Sequence, residues 1–387
     1  MFYETAASSW GTEELDALKH VMDSGFFTMG KRVSEFESVF STYFGKRYGV
    51  MLNSGSSANL IAVASLFFKK NNPLRPGDEV IVPAVSWATT YYPLQQYGLK
   101  LKFVDIDLDT LNMDCSRLTD AITDRTRMIV GVSILGNPAR LDLIKSFADK
   151  HELYFLEDNC ESMDAELGGQ KTGTFGCLNT FSFFFSHHVS TMEGGMILTD
   201  DQELYELALS LRNHGLTKGL PAESKLIDSR LNDFDEAYRF ILPGYNVRPT
   251  ELNAAAGLVQ IKKLPEMTAQ RRDNLAYFRS LFAGDDRFIL QKENGKSSAF
   301  SFTMIPTESS GLQRDDIAKK LRENDIDCRM ITGGNFVRHE VIKYCDYECL
   351  GEMKNADIAH DRGFFVGNHT NDLRPQLDRL KEALSQL

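Results

Sequence analysis

The chain has 387 residues, room for about two domains around a large core, and no internal repeat. Its net charge of -11 comes from interspersed acidic and basic residues, with no basic stripe to suit nucleic acid. No apolar run approaches the ~20 residues of a membrane span. Met1-Phe2-Tyr3-Glu4-Thr5 lacks the basic and apolar regions of a signal peptide, and the six cysteines form no CxxC pair, so a reduced, cytoplasmic setting is expected.

Residues 12–23 place Leu15, Leu18 and Val21 at helical spacing and stop at Ser24-Gly25, which predicts an amphipathic helix. Phe26-Phe27-Thr28-Met29-Gly30 reads as a connector. Residues 32–44 predict a second helix with Phe36, Val39 and Phe40 inward. Residues 48–53 predict a strand that runs into Ser54-Gly55-Ser56-Ser57-Ala58-Asn59, the opening of a helix through Leu66. Small side chains let backbone N–H groups approach an anion, and the helix dipole favours its charge. The same residues would equally make an ordinary N-cap.

Residues 76–83 form a turn and a strand, and Trp87 lies just past the strand end. Its indole is either core or a flat surface for stacking an aromatic ligand. Strands are predicted at 102–107, 128–135 and 154–158, the last closing on Glu157-Asp158. The run from Phe181 to Phe185 predicts another strand; Ser186-His187-His188, Glu193-Gly194-Gly195 and a strand at 196–199 follow.

Beyond lie a helix at 204–214, a charged loop at 216–240 and a long helical stretch at 252–282. A strand at 300–305, a helix at 314–324, a strand at 327–331 and a final helix at 373–384 complete the chain. Strand–helix alternation predicts an α/β fold with a mainly parallel sheet. The expected division is a large domain over residues 1–255 and a smaller C-terminal α/β domain over 256–387. Ligands in such folds sit at the carboxyl ends of strands, where the turns after Leu52, Pro83, Leu156 and Phe185 fall. Cys345 and Cys349 could share a helix face.

Residues 179–195, Asn-Thr-Phe-Ser-Phe-Phe-Phe-Ser-His-His-Val-Ser-Thr-Met-Glu-Gly-Gly, resemble the active-site segment of the pyridoxal-phosphate (PLP) sugar aminotransferases and dehydratases. These enzymes have the aspartate-aminotransferase fold, fold type I. Their Ser-Phe-Phe-x-x-Lys-x-x-x-x-Gly-Glu-Gly-Gly run carries the lysine that binds PLP covalently. Aligned by Ser182, Glu193 and Gly194-Gly195, that lysine position falls on His187. Histidine cannot form an imine, but it moves protons near neutral pH. The chain thus resembles the histidine branch, the sugar 3-dehydratases that make 3,6-dideoxyhexoses.

The resemblance implies PLP and its amine form, PMP, as cofactor and no metal. It implies that Gly55, Ser56 and Ser182 hold the cofactor phosphate together with the partner subunit's Asn246. Trp87 would stack on the pyridine, Asp158 would keep the ring nitrogen protonated and Glu161 would lie near the ring hydroxyl and favour PMP. Asn137 is expected near the cofactor, and Phe26, Thr28, His214, Arg248 and Arg329 near the substrate. His187 would be the single acid/base, with His188 an ordinary surface or core histidine. The implied substrates are GDP-4-keto-6-deoxymannose and L-glutamate, and the implied assembly is a homodimer with shared active sites.

Three other readings stand beside this one. A CDP-hexulose 3-dehydratase would need closely spaced cysteines for an iron–sulfur cluster, and none lies between Cys177 and Cys328. An aminotransferase would need another lysine, with Lys171 and Lys218 nearest in sequence. A catalytically inactive PLP-fold binding protein would tolerate the loss of lysine.

Overall fold

The structure is a computed structural model that describes residues 2–387. Its strands in chain order are β1 (Tyr48–Leu52), β2 (Glu79–Pro83), β3 (Lys100–Val104), β4 (Thr126–Val132), β5 (Tyr154–Asp158), β6 (Glu166–Leu167) and β7 (Gln170–Lys171). There follow β8 (Leu178–Ser182), β9 (Gly195–Thr199), β10 (Phe288–Leu290), β11 (Ser301–Pro306), β12 (Cys328–Met330), β13 (Tyr347–Cys349) and β14 (Phe364–Gly367). The large sheet has the order β1-β9-β8-β5-β4-β2-β3-β13. Strand β9 is antiparallel to both neighbours, and the other pairs in this sheet are parallel.

Alternation along each strand sends side chains to opposite faces. Val80, Val82, Met128 and Val130 pack on one face against Ile61, Ala62 and Leu66 of helix Gly55–Phe67. Ile81, Ile129 and Phe155 pack on the other against Leu141, Ile144 and Ala148 of helix Leu141–Lys150. Burial on both faces explains why these strands read as continuous apolar runs. A third cluster joins Phe36 and Phe40 of helix Lys31–Tyr43 to Phe181 and Phe183 of the run 179–195.

The antiparallel second sheet, β10-β11-β14-β12, packs its own core with Phe278 of helix Glu251–Leu281 and Leu377 and Leu380 of helix Arg374–Ser385. Two pieces of chain cross between the sheets. Tyr3 is buried in this second core, and β13 adds the edge of the large sheet beside β3.

Several expectations shift. Leu15 is 59% exposed, whereas Glu14 is buried and accepts from Gln260 Nε2 at 2.8 Å, because helix Thr12–Ser24 turns a polar contact toward the long helix. Val39 is 38% exposed and Val33 takes the inward place. Strand β8 ends at Ser182, and Phe184 and Phe185 stand exposed in the turn that follows. Cys349 lies on a strand, so it shares no helix face with Cys345.

Candidate active site

A cavity of about 580 Å³ opens at the carboxyl ends of the parallel strands. It is lined by eight of the expected site residues: Gly55, Ser56, Trp87, Asp158, Glu161, Ser182, His187 and Arg329. They come from the last residues of β5 and β8, from the segments that follow β1, β2, β5 and β8, and from β12 of the second sheet.

Asp158 closes β5 and is buried. Its carboxylate accepts from Asn59 Nδ2 at 2.9 Å and Thr90 Oγ1 at 2.8 Å, both neutral donors. Thr180 Oγ1 in turn donates to Asn59 Oδ1 at 2.6 Å and fixes that amide. A buried carboxylate held only by neutral donors suits a cationic ring nitrogen.

The cradle forms where Gly55 starts its helix and crosses Ser182. A Cβ on Gly55 would sit 2.6 Å from Ser182 Cβ, so only glycine permits this approach. Ser54 caps the helix by accepting from Ser57 N at 3.0 Å. Trp87, 60% exposed, stands at the N-terminus of the next helix with its indole at the cavity.

His187 is half-buried in the turn after β8. Its Nδ1–H donates to the Cys160 carbonyl at 2.6 Å, which leaves Nε2 as the free base. Burial pushes its pKa down to about 4, helped by the Arg271 charge and opposed by the Cys160 hydrogen bond and Asp158. Glu161 moves the other way, up to about 7, because burial and the Asp158 charge outweigh its donors. Those donors are Leu135 N at 2.9 Å and Thr332 Oγ1 at 3.4 Å. Both residues have positive φ, 54° and 36°, so the backbone is strained where it grips this carboxyl.

The single chain does not bring every expected residue to its own cavity. Phe26, Asn246, Arg248 and His214 are exposed and do not line it, nor does Thr28. They gather elsewhere: Thr28 bridges Thr250, Asn213 bridges Asn246, His214 N donates to Tyr245 O at 2.7 Å, and Arg248 Nε donates to Asn246 Oδ1 at 3.0 Å. Asn137 is buried away from the cavity and donates to Lys292 O at 2.7 Å; Leu135 lines the cavity in its place. Lys171 instead pairs with Asp164, and no lysine lines the cavity among the described residues.

Sequence reasoning missed Asn59, Thr90, Leu135, Phe300 and Thr332. Asn59 carried a signal: it lies one helical turn past Gly55, on the side that faces Asp158. Phe300 and Thr332 carried none, since both reach the cavity from the second sheet's connections.

A mostly parallel sheet with this cavity at its strand ends is the α/β arrangement of the fold type I enzymes. The chain belongs to the DegT/DnrJ/EryC1/StrS aminotransferase family, which it matches over residues 8–384. It is 47% identical over 386 residues to the GDP-4-keto-6-deoxy-D-mannose 3-dehydratase of Yersinia pseudotuberculosis, covering 99% of this chain and 98% of that one. Two solved structures of GDP-4-keto-6-deoxymannose-3-dehydratase superpose with TM-scores of 0.97, each at 46% identity over 99% of this chain and 100% of theirs. One holds a trapped PLP–glutamate geminal diamine, and the other is a histidine-to-asparagine variant with bound GDP-perosamine.

Proposed function

We propose that this chain removes the C3 hydroxyl of GDP-4-keto-6-deoxy-D-mannose, with PLP and L-glutamate, to give GDP-4-keto-3,6-dideoxymannose. The observation that carries this reading is His187, with one nitrogen locked and the other free, in a cavity without lysine. The stoichiometry balances: the sugar loses the oxygen that glutamate gains in becoming 2-oxoglutarate and ammonia.

When bound, the cofactor supplies an electron sink conjugated to the sugar's C4. Gly55, Ser56 and Ser182 hold its phosphate, helped by the partner subunit's Asn246. Trp87 would stack on the ring and Asp158 would hold the proton on its nitrogen. His187 Nε2 would take a proton at the cofactor's C4′ and give one to the departing C3 oxygen, a double duty suited to a single base. Glu161 would lie by the ring hydroxyl and favour the amine form, and Arg329, which also lines the cavity, would face the nucleotide-sugar.

The exposed group of Phe26, Thr28, His214, Asn246 and Arg248 supports a homodimer in which each subunit completes its partner's site. The exposed rings of Phe27, Phe184 and Phe185 supply apolar surface for that contact. We further infer two domains that divide near residue 255, and a cytoplasmic place in deoxysugar synthesis of the colitose type for lipopolysaccharide. Six free cysteines fit a reduced compartment.

His187→Ala tests the central role. It should keep its cofactor yet lose dehydration by about 100-fold or more, the scale of a lost acid/base. Dehydration at the wild-type rate would remove the reading.

A further inference from the structure

His188 carries more than the bland role of a buried side chain. It is 1% exposed, and its Nε2 lies 3.0 Å from the Ser298 carbonyl. Its Nδ1 is buried without a partner among the described residues. The unpaired nitrogen is a cost in a core, and the Nε2 contact is the one hydrogen bond that the ring sets against it.

The segment it grips is clasped on every side. Ser298 N donates to Gly136 O at 2.9 Å and Phe300 N to Leu135 O at 3.2 Å. Asn368 Nδ2 donates to Ala299 O at 2.7 Å and Arg271 to Phe300 O at 3.3 Å. Ala299 has φ of 51°, a conformation that persists only because its surroundings enforce it. The clasp presents the Phe300 ring to both histidines, 5.2 Å from His187 and 5.7 Å from His188 between centroids. Phe300 also lines the cavity.

We propose that His188 is a positioning residue: by donating from Nε2 to the Ser298 carbonyl it holds Phe300 edge-on against His187 and so aims the catalytic nitrogen. This rests on His187 being the acid/base. Through Leu135, whose N–H reaches Glu161, the same clasp sets Glu161 relative to His187. Burial and the charges of Arg271 and Arg272 hold His188 well below its usual pKa, so it stays a neutral donor. The other charged or titratable groups around the pair are Asp158 at the end of β5, Cys160 and Glu161 just after it, Glu193 and Arg329 at the cavity, and His369 near Arg271.

The test compares His188→Leu, His188→Gln and Phe300→Leu as full chains loaded with PLP and supplied with L-glutamate and the nucleotide-sugar. Glutamine can place its Nε2–H where the histidine donor stands. Leucine should leave KM within about twofold but lower kcat by about 10- to 100-fold, the effect of a small misplacement. The acid limb of its kcat/KM profile should move to higher pH as the enclosure of His187 loosens. His188→Gln should restore both, and Phe300→Leu should move the limb in the same direction. A leucine variant with unchanged kcat, a kcat loss without a moved limb, or no recovery with glutamine would overturn the proposal. Should the leucine variant not fold, an unmoved limb in Phe300→Leu overturns it alone. An active His187→Ala would instead count against the acid/base reading, so the two failures are distinguishable.

Discussion

His187 and Glu161 leave their ordinary pKa values in opposite directions, and that has a consequence for stability. The folded value of His187 is lowered to about 4 from 6.5, so its contribution is complete above pH 6.5 and is lost as the pH falls through 4. Glu161 is raised to about 7 from 4.5, so its contribution is complete below pH 4.5 and is lost as the pH rises through 7. In cofactor-free protein, His187→Gln should therefore weaken the loss of stability on the acid side, and Glu161→Gln the loss on the alkaline side. Urea midpoints between pH 4 and 8 would check both, and curves parallel to wild type would contradict these environments. The family resemblance had pointed to both residues, His187 through the frame of Ser182, Glu193 and Gly194-Gly195 and Glu161 through its place after Asp158. It could not foresee the burial that moves them, because that burial comes from Leu135, Phe300 and Thr332 on distant segments.

Among the elements, the start of helix Glu251–Leu281 organises the surface beside the site. Glu251 is buried and accepts from Gly30 N at 2.9 Å, Arg32 N at 2.9 Å and Val33 N at 3.0 Å. It thereby satisfies the open N–H groups of helix Lys31–Tyr43 from outside that helix. Glu251→Gln should cost about 1–3 kcal/mol, the range for disturbing charged buried hydrogen bonds. Thermal and urea unfolding would measure it, and a change below ~0.5 kcal/mol would be too small for this role. On the same helix, Asn253 Nδ2 donates to Thr191 O at 2.7 Å and Glu193 O at 2.9 Å, so it also braces the turn after His188. The long helix itself was read from the sequence although Pro265 lies inside it, but these long-range caps were not. The strand at 181–185 was misread because aromatic residues signal β-structure and burial alike. Phe181 lies on β8, Phe183 packs beyond its end, and Phe184 and Phe185 are exposed.

For the whole molecule, the crossover helices Ala88–Gln96 and Leu141–Lys150, which lack side-chain caps, went unread, but the parallel sheet was legible from its apolar strands. Strand β13 was not, since three residues from the far end of the chain give no pattern of their own. The proposed shared-site homodimer leads to a complementation test. His187→Ala and Asn246→Ala chains, each inactive alone, should regain about a quarter of wild-type activity when refolded together, because half the dimers would hold one intact site. No regain would mean that each chain uses its own Asn246. The reaction itself is decided by the mass of the sugar product formed from GDP-4-keto-6-deoxymannose with PLP and L-glutamate. A product lacking one oxygen, with 2-oxoglutarate and ammonia released in equal amount, is the predicted result. A stable amino sugar that keeps its C3 hydroxyl would contradict it and make the enzyme a transaminase.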